Sequence, residues 1–236
     1  MHPLEGERLL QAWEDASASD PVRRPLRMLV HAMPEMDVSA LEDVSLLQRN
    51  RLLLELYATT FGPQLQGYAT CQHCGSALEF HSYVADLLNA LPESDDVKGC
   101  SANAITSRML LRALQEQNAL SREHALLVLC SGVEPDTANA LEGSSLEKLR
   151  SNVSVTNADT EIFCRIQCAE CDELNSIDFD PAHFVWLAVR HRASALMADV
   201  HDIARAYGWT ESSILTMTSA RREVYLARIA GEGAMA

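Results

Sequence analysis

Four of the seven cysteines form two C-x2-C pairs, which is the spacing of metal-binding knuckles. The first pair is Cys71 and Cys74, within CQHCG, and the second pair is Cys168 and Cys171, within CAECD. Four thiolates complete a tetrahedral Zn²⁺ site and leave no coordination position for a reacting water. The cysteines therefore predict one structural zinc site that both pairs share.

The two pairs are separated by 93 residues, whereas zinc ribbons usually have about 15–20 residues between their pairs. The entropy of closing a loop grows only with the logarithm of its length, so this longer loop costs roughly 1.5 kcal/mol more. A structural zinc ion supplies on the order of 10–16 kcal/mol. A long insertion between the knuckles is therefore compatible with one shared site.

Other roles for the cysteines and their neighbours stay open. A thioredoxin-like redox site needs a C-x-x-C at the start of a helix that follows a buried strand, and neither pair has that context. Two unconnected pairs of free thiols are a further alternative. His73 and Cys164 are alternative ligands, although an exposed knuckle histidine and a core-facing strand cysteine are the simpler interpretations. Cys100 and Cys130 are interpreted as small buried hydrophobic residues.

Short segments in which apolar and polar residues partly alternate flank each pair, and this predicts that each knuckle is the tip of a β-hairpin. The segments are QLQGYAT and SALEFHSYV around the first pair, and TEIFCRIQ and ELNSIDF around the second. A helical segment follows each hairpin, VADLLNAL after Ser82 and PAHFVWLAV after Asp180. The chain thus has a weak internal repeat of strand, knuckle, strand and helix.

Residue types that cap helices precede several segments with helical apolar periodicity and predict where those helices begin. Gly62 and Gly208 are predicted to end the two longest helices. The segment PESDDVKG is predicted to be a linker and GVEPDTANALEG a loop. The predicted N-caps are Asp20, Ser45, Thr106, Ser121, Ser144, Asp180, Thr210 and Thr218.

Together these segments predict an α+β fold that is mainly α-helical. It is a split zinc ribbon of two β-hairpin knuckles, with a helical insertion and a C-terminal helical segment. The predicted units are an N-terminal helical region (1–62), the first zinc knuckle with its helix (63–91), the helical insertion (92–159), the second zinc knuckle (160–180) and a C-terminal helical region (181–236).

The charge and the missing motifs argue against several classes of function. The chain has 33 acidic and 19 basic side chains and a formal net charge of −14, so it repels phosphate backbones unless its basic side chains cluster on one face, and nucleic acid is not an expected partner. It has neither an apolar run of roughly 20 residues nor a signal peptide, so we expect a cytoplasmic protein that does not associate with membranes. It has no H-E-x-x-H, no glycine-rich phosphate loop and no placeable Ser-His-Asp set, so we do not expect an enzyme.

The C-terminal string IARAYGWTESSILTMTSARREVYLARI has the outline of a helix-turn-helix. Its second helix, ESSILTM, offers a glutamate, serines and apolar residues instead of the Arg, Asn or Gln that read bases. The candidate phosphate contacts are Arg205, Arg221, Arg222 and Arg228. Because of this outline and these arginines, the alternative function is a zinc-ribbon adaptor in transcription or another nucleic-acid process.

Several segments in a fixed order carry a family resemblance. They are RNRLLLELYATTFGPQL leading to CQHCGSALEF and VADLL, then ITSRMLLRAL, then IQCAEC followed by FDPAHFVW, and finally HDIARAYGWTESSILTMTSARREVYLARI. This order resembles the baseplate-hub and hub-assembly proteins of contractile-tailed phages and of related extracellular contractile injection systems. The resemblance extends from about Leu46 to Ile229, and the chain departs from the usual pattern at Met109 and Ser213.

The resemblance implies a non-enzymatic assembly factor or structural component of a baseplate or hub. Its expected partners are other baseplate, hub or spike proteins, and its expected location is the cytoplasm or a phage tail-like particle. The resemblance brings no catalytic residues.

Overall fold

The computed structural model describes residues 1–93, 102–132 and 143–233, and these residues are mainly helical. The first part contains α1 (Gly6–Ser17), α2 (Arg24–Ala32), α3 (Val38–Asp43), α4 (Leu46–Phe61), β1 (Gln64–Thr70), β2 (Ala77–Tyr83) and α5 (Val84–Ala90). The insertion contains α6 (Ser107–Ala113), α7 (Ala119–Cys130), α8 (Ser144–Thr156) and a 3₁₀ turn (Ala158–Thr160). The last part contains β3 (Ile162–Gln167), β4 (Leu174–Phe179), α9 (Pro181–Tyr207), α10 (Glu211–Leu215) and α11 (Ser219–Gly233).

The strands form two separate antiparallel hairpins, β1 with β2 and β3 with β4. Their registers run from Gln64 opposite Tyr83 to Thr70 opposite Ala77, and from Ile162 opposite Phe179 to Gln167 opposite Leu174. A helix follows each hairpin directly, α5 after the first and α9 after the second. The predicted order of strand, knuckle, strand and helix is therefore present twice.

Most predicted helix starts are confirmed by side-chain caps. Ser45 accepts a hydrogen bond from the Gln48 amide at 3.1 Å, and Asp180 accepts one from the Ala182 amide at 2.9 Å. Gly208 adopts a left-handed conformation at the end of α9, as predicted for a C-terminal glycine. The other confirmed caps are Thr106, Thr210 and Thr218.

Two predicted caps in the insertion are wrong. Asn118 caps α7 and accepts a bond from the Ser121 amide, because an Asx side chain three residues earlier captures that donor and adds a turn to the helix. Gly143 precedes α8 without a side-chain cap, so Ser144 is the first helical residue.

The N-terminal region also differs from the prediction. Asp20 accepts bonds from two amides of a turn, and α2 begins only at Arg24, where Pro25 fits the first turn. The short helix α3, capped by Asp37, was not predicted from the sequence. Cys100, almost all of the linker PESDDVKG and almost all of the loop GVEPDTANALEG lie outside the described residues.

Two hydrophobic clusters form the main core, and the second of them holds the hairpins against the helices. The larger cluster joins α1, α2, α4 and α9 through fully buried residues such as Leu26, Leu53 and Val189. The second lies between α4, the strands and the start of α9, where Tyr57 and Phe179 each contact the Phe184 ring. Because α4 contributes residues to both clusters, it packs against the helical core and also against the hairpins.

The insertion is tied back to the first part of the chain near α4. The Leu46 amide donates to the Ile105 carbonyl at 2.7 Å, and the Asn50 side chain donates to the Thr160 carbonyl at 3.2 Å. Arg108 forms ion pairs with Glu42 and Asp43 of α3. These contacts return the chain to α4 just before β3, so the second hairpin begins close to the first.

Candidate metal centre

The first cysteine pair lies in a tight turn between β1 and β2. The Cys71 amide donates to the Ser76 carbonyl at 2.8 Å, and the Gly75 amide donates to the Cys71 carbonyl at 3.0 Å. Gly75 has φ of 77°, a conformation that glycine adopts without steric cost. The glycine directly after CQHC therefore lets the chain reverse while both thiols stay on one side.

The second pair repeats this turn between β3 and β4. The Cys168 amide donates to the Glu173 carbonyl at 2.9 Å, and the Asp172 amide donates to the Cys168 carbonyl at 2.9 Å. Asp172 takes the place of the glycine with φ of 62°, and its carboxylate accepts a bond from Gln167 at 2.7 Å. Aspartate is one of the few side chains that tolerate this conformation.

The two turns bring all four predicted site residues together. The sulfurs of Cys71, Cys74, Cys168 and Cys171 lie within 4.8 Å of one another, and they are the one such group of potential ligands in the described ranges. Cys71 is 3.6 Å from Cys171, and Cys74 is 3.6 Å from Cys168, measured between sulfurs. In a regular tetrahedron with metal–sulfur bonds near 2.3 Å the sulfurs are about 3.8 Å apart. The arrangement therefore fits one tetrahedral metal ion.

The inner part of the cluster is closed to solvent. Cys71 is 2% exposed and Cys168 is 1% exposed, whereas Cys74 is exposed. The apolar side chains packed around the cluster are Ala69, Leu78, Ile166 and Ile177. The first cysteine of each pair is thus buried between the hairpins, and the second lies nearer the surface.

Hydrogen bonds make the four thiols electrostatically unequal. The Cys74 backbone amide, helped by the Asn175 side chain, lowers the pKa of Cys71 to about 6. The Glu173 amide lowers the pKa of Cys171, but burial and the neighbouring thiols raise it to about 12. Thiols this close cannot all ionise without a cation between them. A bound divalent metal would remove that conflict.

Asn175 is a site residue that the sequence analysis missed. It is 1% exposed on β4, and its side chain donates to the Cys71 sulfur at 3.5 Å. Its carbonyl oxygen accepts a bond from the Gln72 amide of the other knuckle at 2.9 Å. The available signal was the alternation of side chains along β4. This alternation buries the polar Asn175 and exposes the apolar Leu174, which is the opposite of what their polarity alone would suggest.

The other candidate ligands lie elsewhere. His73 is exposed and outside the sulfur cluster. Cys164 is partly buried on β3, where it packs against the second hydrophobic cluster, and burial raises its pKa. Cys130 is fully buried in a small cluster of the insertion, and burial raises its pKa to about 11. The positions agree with an exposed knuckle histidine, a core-facing strand cysteine and a small buried hydrophobic residue, respectively.

The C-terminal segment does not present the predicted set of phosphate contacts. Arg222 is 7% exposed, and its Nη1 atom donates to the Met217 carbonyl at 2.6 Å, so this candidate contact is wrong. The guanidinium of Arg221 lies over the Tyr225 ring, 5.9 Å from its centroid. The second helix of the predicted helix-turn-helix, α10, has only five residues, and its Ile214 is buried.

A cleft of about 650 Å³ lies between the N-terminal segment and the last three helices. Charged side chains of both signs line it, among them Arg8, Arg192, Asp199 and Arg222. Burial raises the pKa of Asp199, and the two nearby arginines oppose that shift. None of the four clustered cysteines lines this cleft, so the metal centre is separate from it.

None of the helices in the described ranges has the length and hydrophobicity needed to cross a lipid bilayer. Comparisons of the chain with models of protein families, with curated proteins and with solved structures gave no match.

Proposed function

We propose that the protein is a non-enzymatic, zinc-stapled assembly factor or structural component of the baseplate or hub of a phage tail-like contractile system. The observation that supports the zinc-stapled, non-enzymatic part of the proposal is the closed group of four cysteine sulfurs, drawn from segments 93 residues apart. Such a site links distant parts of a chain and offers no open position for substrate. A linking role suits a protein whose surfaces bind other proteins.

Zinc is the proposed metal because it prefers tetrahedral thiolate sites and has no redox chemistry. Cys71, Cys74, Cys168 and Cys171 would each supply one sulfur. The bound ion would neutralise part of the thiolate charge and hold the two knuckles together. Iron also binds four thiolates, so the metal content of the purified protein tests this assignment.

The assembly role rests on the resemblance between about Leu46 and Ile229. One of its segments, YGWTESSIL, forms a packed corner in which Trp209 contacts both Tyr207 and Tyr225 with ring centroids 4.9 Å apart. The net charge of −14 suits binding to basic protein surfaces, and such contacts weaken as salt increases. Tyr68 and Phe163 on the hairpins are 70% and 57% exposed and are candidate contact residues. The protein would act in the host cytoplasm and could then enter the particle.

The test is affinity purification of the tagged protein from its own host while particles are being produced. We expect baseplate, hub or spike proteins in the eluate, together with about one zinc ion per chain. The matched control is the Cys168→Ser variant, which should recover less zinc and fewer partners. Recovery of nucleic acid or polymerase would favour the zinc-ribbon adaptor, and recovery of the protein alone would refute the assembly role.

A further inference from the structure

Asn175 connects the two knuckles through three hydrogen bonds. Its Nδ2 atom donates to the Cys71 sulfur at 3.5 Å and to the Glu173 carbonyl at 3.1 Å. Its Oδ1 atom accepts a bond from the Gln72 amide at 2.9 Å. One buried side chain of the second hairpin therefore contacts both a ligand sulfur and the backbone of the first knuckle.

The internal repeat shows that the fold alone does not require this amide. Leu78 occupies the equivalent position on the first hairpin, seven residues after Cys71, as Asn175 is seven residues after Cys168. Leu78 is 4% exposed and packs in the same cluster as the two buried cysteines. An apolar side chain thus fills the equivalent position, whereas Asn175 adds polar contacts there.

We infer that Asn175 is a positioning residue of the metal centre. It fixes the first knuckle against the second and directs an N–H group at the sulfur of Cys71. This inference rests on the proposed metal site. Four thiolates around one divalent ion carry a net charge of about −2, and N–H donors to sulfur stabilise that charge in a buried site.

The side chain has two separable effects. The hydrogen bond from the Gln72 amide to Asn175 Oδ1 aligns the two knuckles and requires only the side-chain carbonyl oxygen of Asn175. The hydrogen bond from Asn175 Nδ2 to the Cys71 sulfur withdraws electron density from that sulfur and requires only the side-chain N–H group of Asn175. Asn175→Asp keeps the acceptor but places a carboxylate oxygen against the sulfur, and Asn175→Leu removes both bonds and copies Leu78. Ser176→Ala is the matched control, since Ser176 is exposed on the neighbouring position of β4.

The experiment titrates the metal-free full-length chains with Co²⁺ and measures the sulfur-to-cobalt charge-transfer absorption. Zn²⁺ affinity is then measured by competition with a chelator. We expect both Asn175 variants to bind zinc about 10–100-fold more weakly, with the larger loss in Asn175→Asp. In Asn175→Leu the charge-transfer band should move to longer wavelength, because a sulfur without the N–H bond gives up electron density more easily. Ser176→Ala should match the wild type in both measurements.

Urea unfolding of the metal-free chains separates positioning from stability, since general destabilisation lowers affinity without moving the absorption band. Unchanged bands in both variants, or zinc affinities within about twofold of the wild type, would overturn the inference. If one variant does not fold, the other still decides the outcome, because each loses the N–H donor. A wild-type chain that binds neither metal would instead refute the proposed metal site itself.

Discussion

A mutational cycle on the buried cysteine of each knuckle tests whether the pairs share one metal ion. The perturbations are Cys71→Ser, Cys168→Ser and the double variant. Both sulfurs belong to the cluster in which all four ligand atoms lie within 4.8 Å. A single ion bound to this cluster loses one corner of its tetrahedron in either single variant, so either substitution should disable the whole site.

The expected magnitude follows from linkage between metal binding and folding. At a buffered free zinc concentration about 100 times the wild-type dissociation constant, the metal adds about 2.7 kcal/mol to the free energy of unfolding. Each single variant should lose this contribution almost completely, because weakening the site about 100-fold removes most of it. With one shared ion, the double variant should also lose about 2.7 kcal/mol, whereas two separate sites would lose about 5.4 kcal/mol.

The assay is urea unfolding with and without buffered zinc for all four chains. Cys71 and Cys168 are 2% and 1% exposed, so a serine hydroxyl at either position destabilises the fold even without metal. The metal-free measurements give this loss in the free energy of unfolding, and it is subtracted from the loss measured with zinc. Cys164→Ser is the control, since Cys164 packs in a different cluster and should retain the full zinc effect. Additive losses in the double variant would refute the shared site.

Three further outcomes are expected. Gly6→Ala should lower the free energy of unfolding by roughly 1–3 kcal/mol in urea melts, because φ at Gly6 is 51° and a Cβ atom would lie 2.8 Å from the Leu215 carbonyl oxygen. The matched Gly231→Ala, in open space on α11, should not destabilise the protein. Zinc binding at pH 7.5 should release fewer than four protons, because a Cys71 pKa of about 6 leaves that sulfur ionised beforehand. The number of protons released should rise below pH 6, where Cys71 is itself protonated before binding, and zinc affinity should fall there, as calorimetry in two buffers would show. In metal-free protein, iodoacetamide followed by mass spectrometry should label exposed Cys74 well before buried Cys130. Equal labelling, four protons at pH 7.5 or a harmless Gly6→Ala would contradict the respective arguments.

Local signals predicted much of the architecture. The C-x2-C spacing, the glycine after Cys74 and the caps at Ser45 and Asp180 act within about five residues, so their outcome depends little on the rest of the chain. The prediction failed where two local signals competed. Asn118 and Ser121 can both cap α7, and the earlier residue gains an additional helical turn.

The sequence by itself determined that two knuckles exist, which residues offer sulfur ligands, and that a helix follows each hairpin. Only the tertiary structure decided that the hairpins face each other with four sulfurs within 4.8 Å, because that geometry depends on packing against α4 and α9. The tertiary structure also decided that Asn175 contacts a residue 103 positions away and that Arg222 is buried. Both outcomes come from contacts between segments distant in sequence, where no short-range pattern specifies which side chains meet.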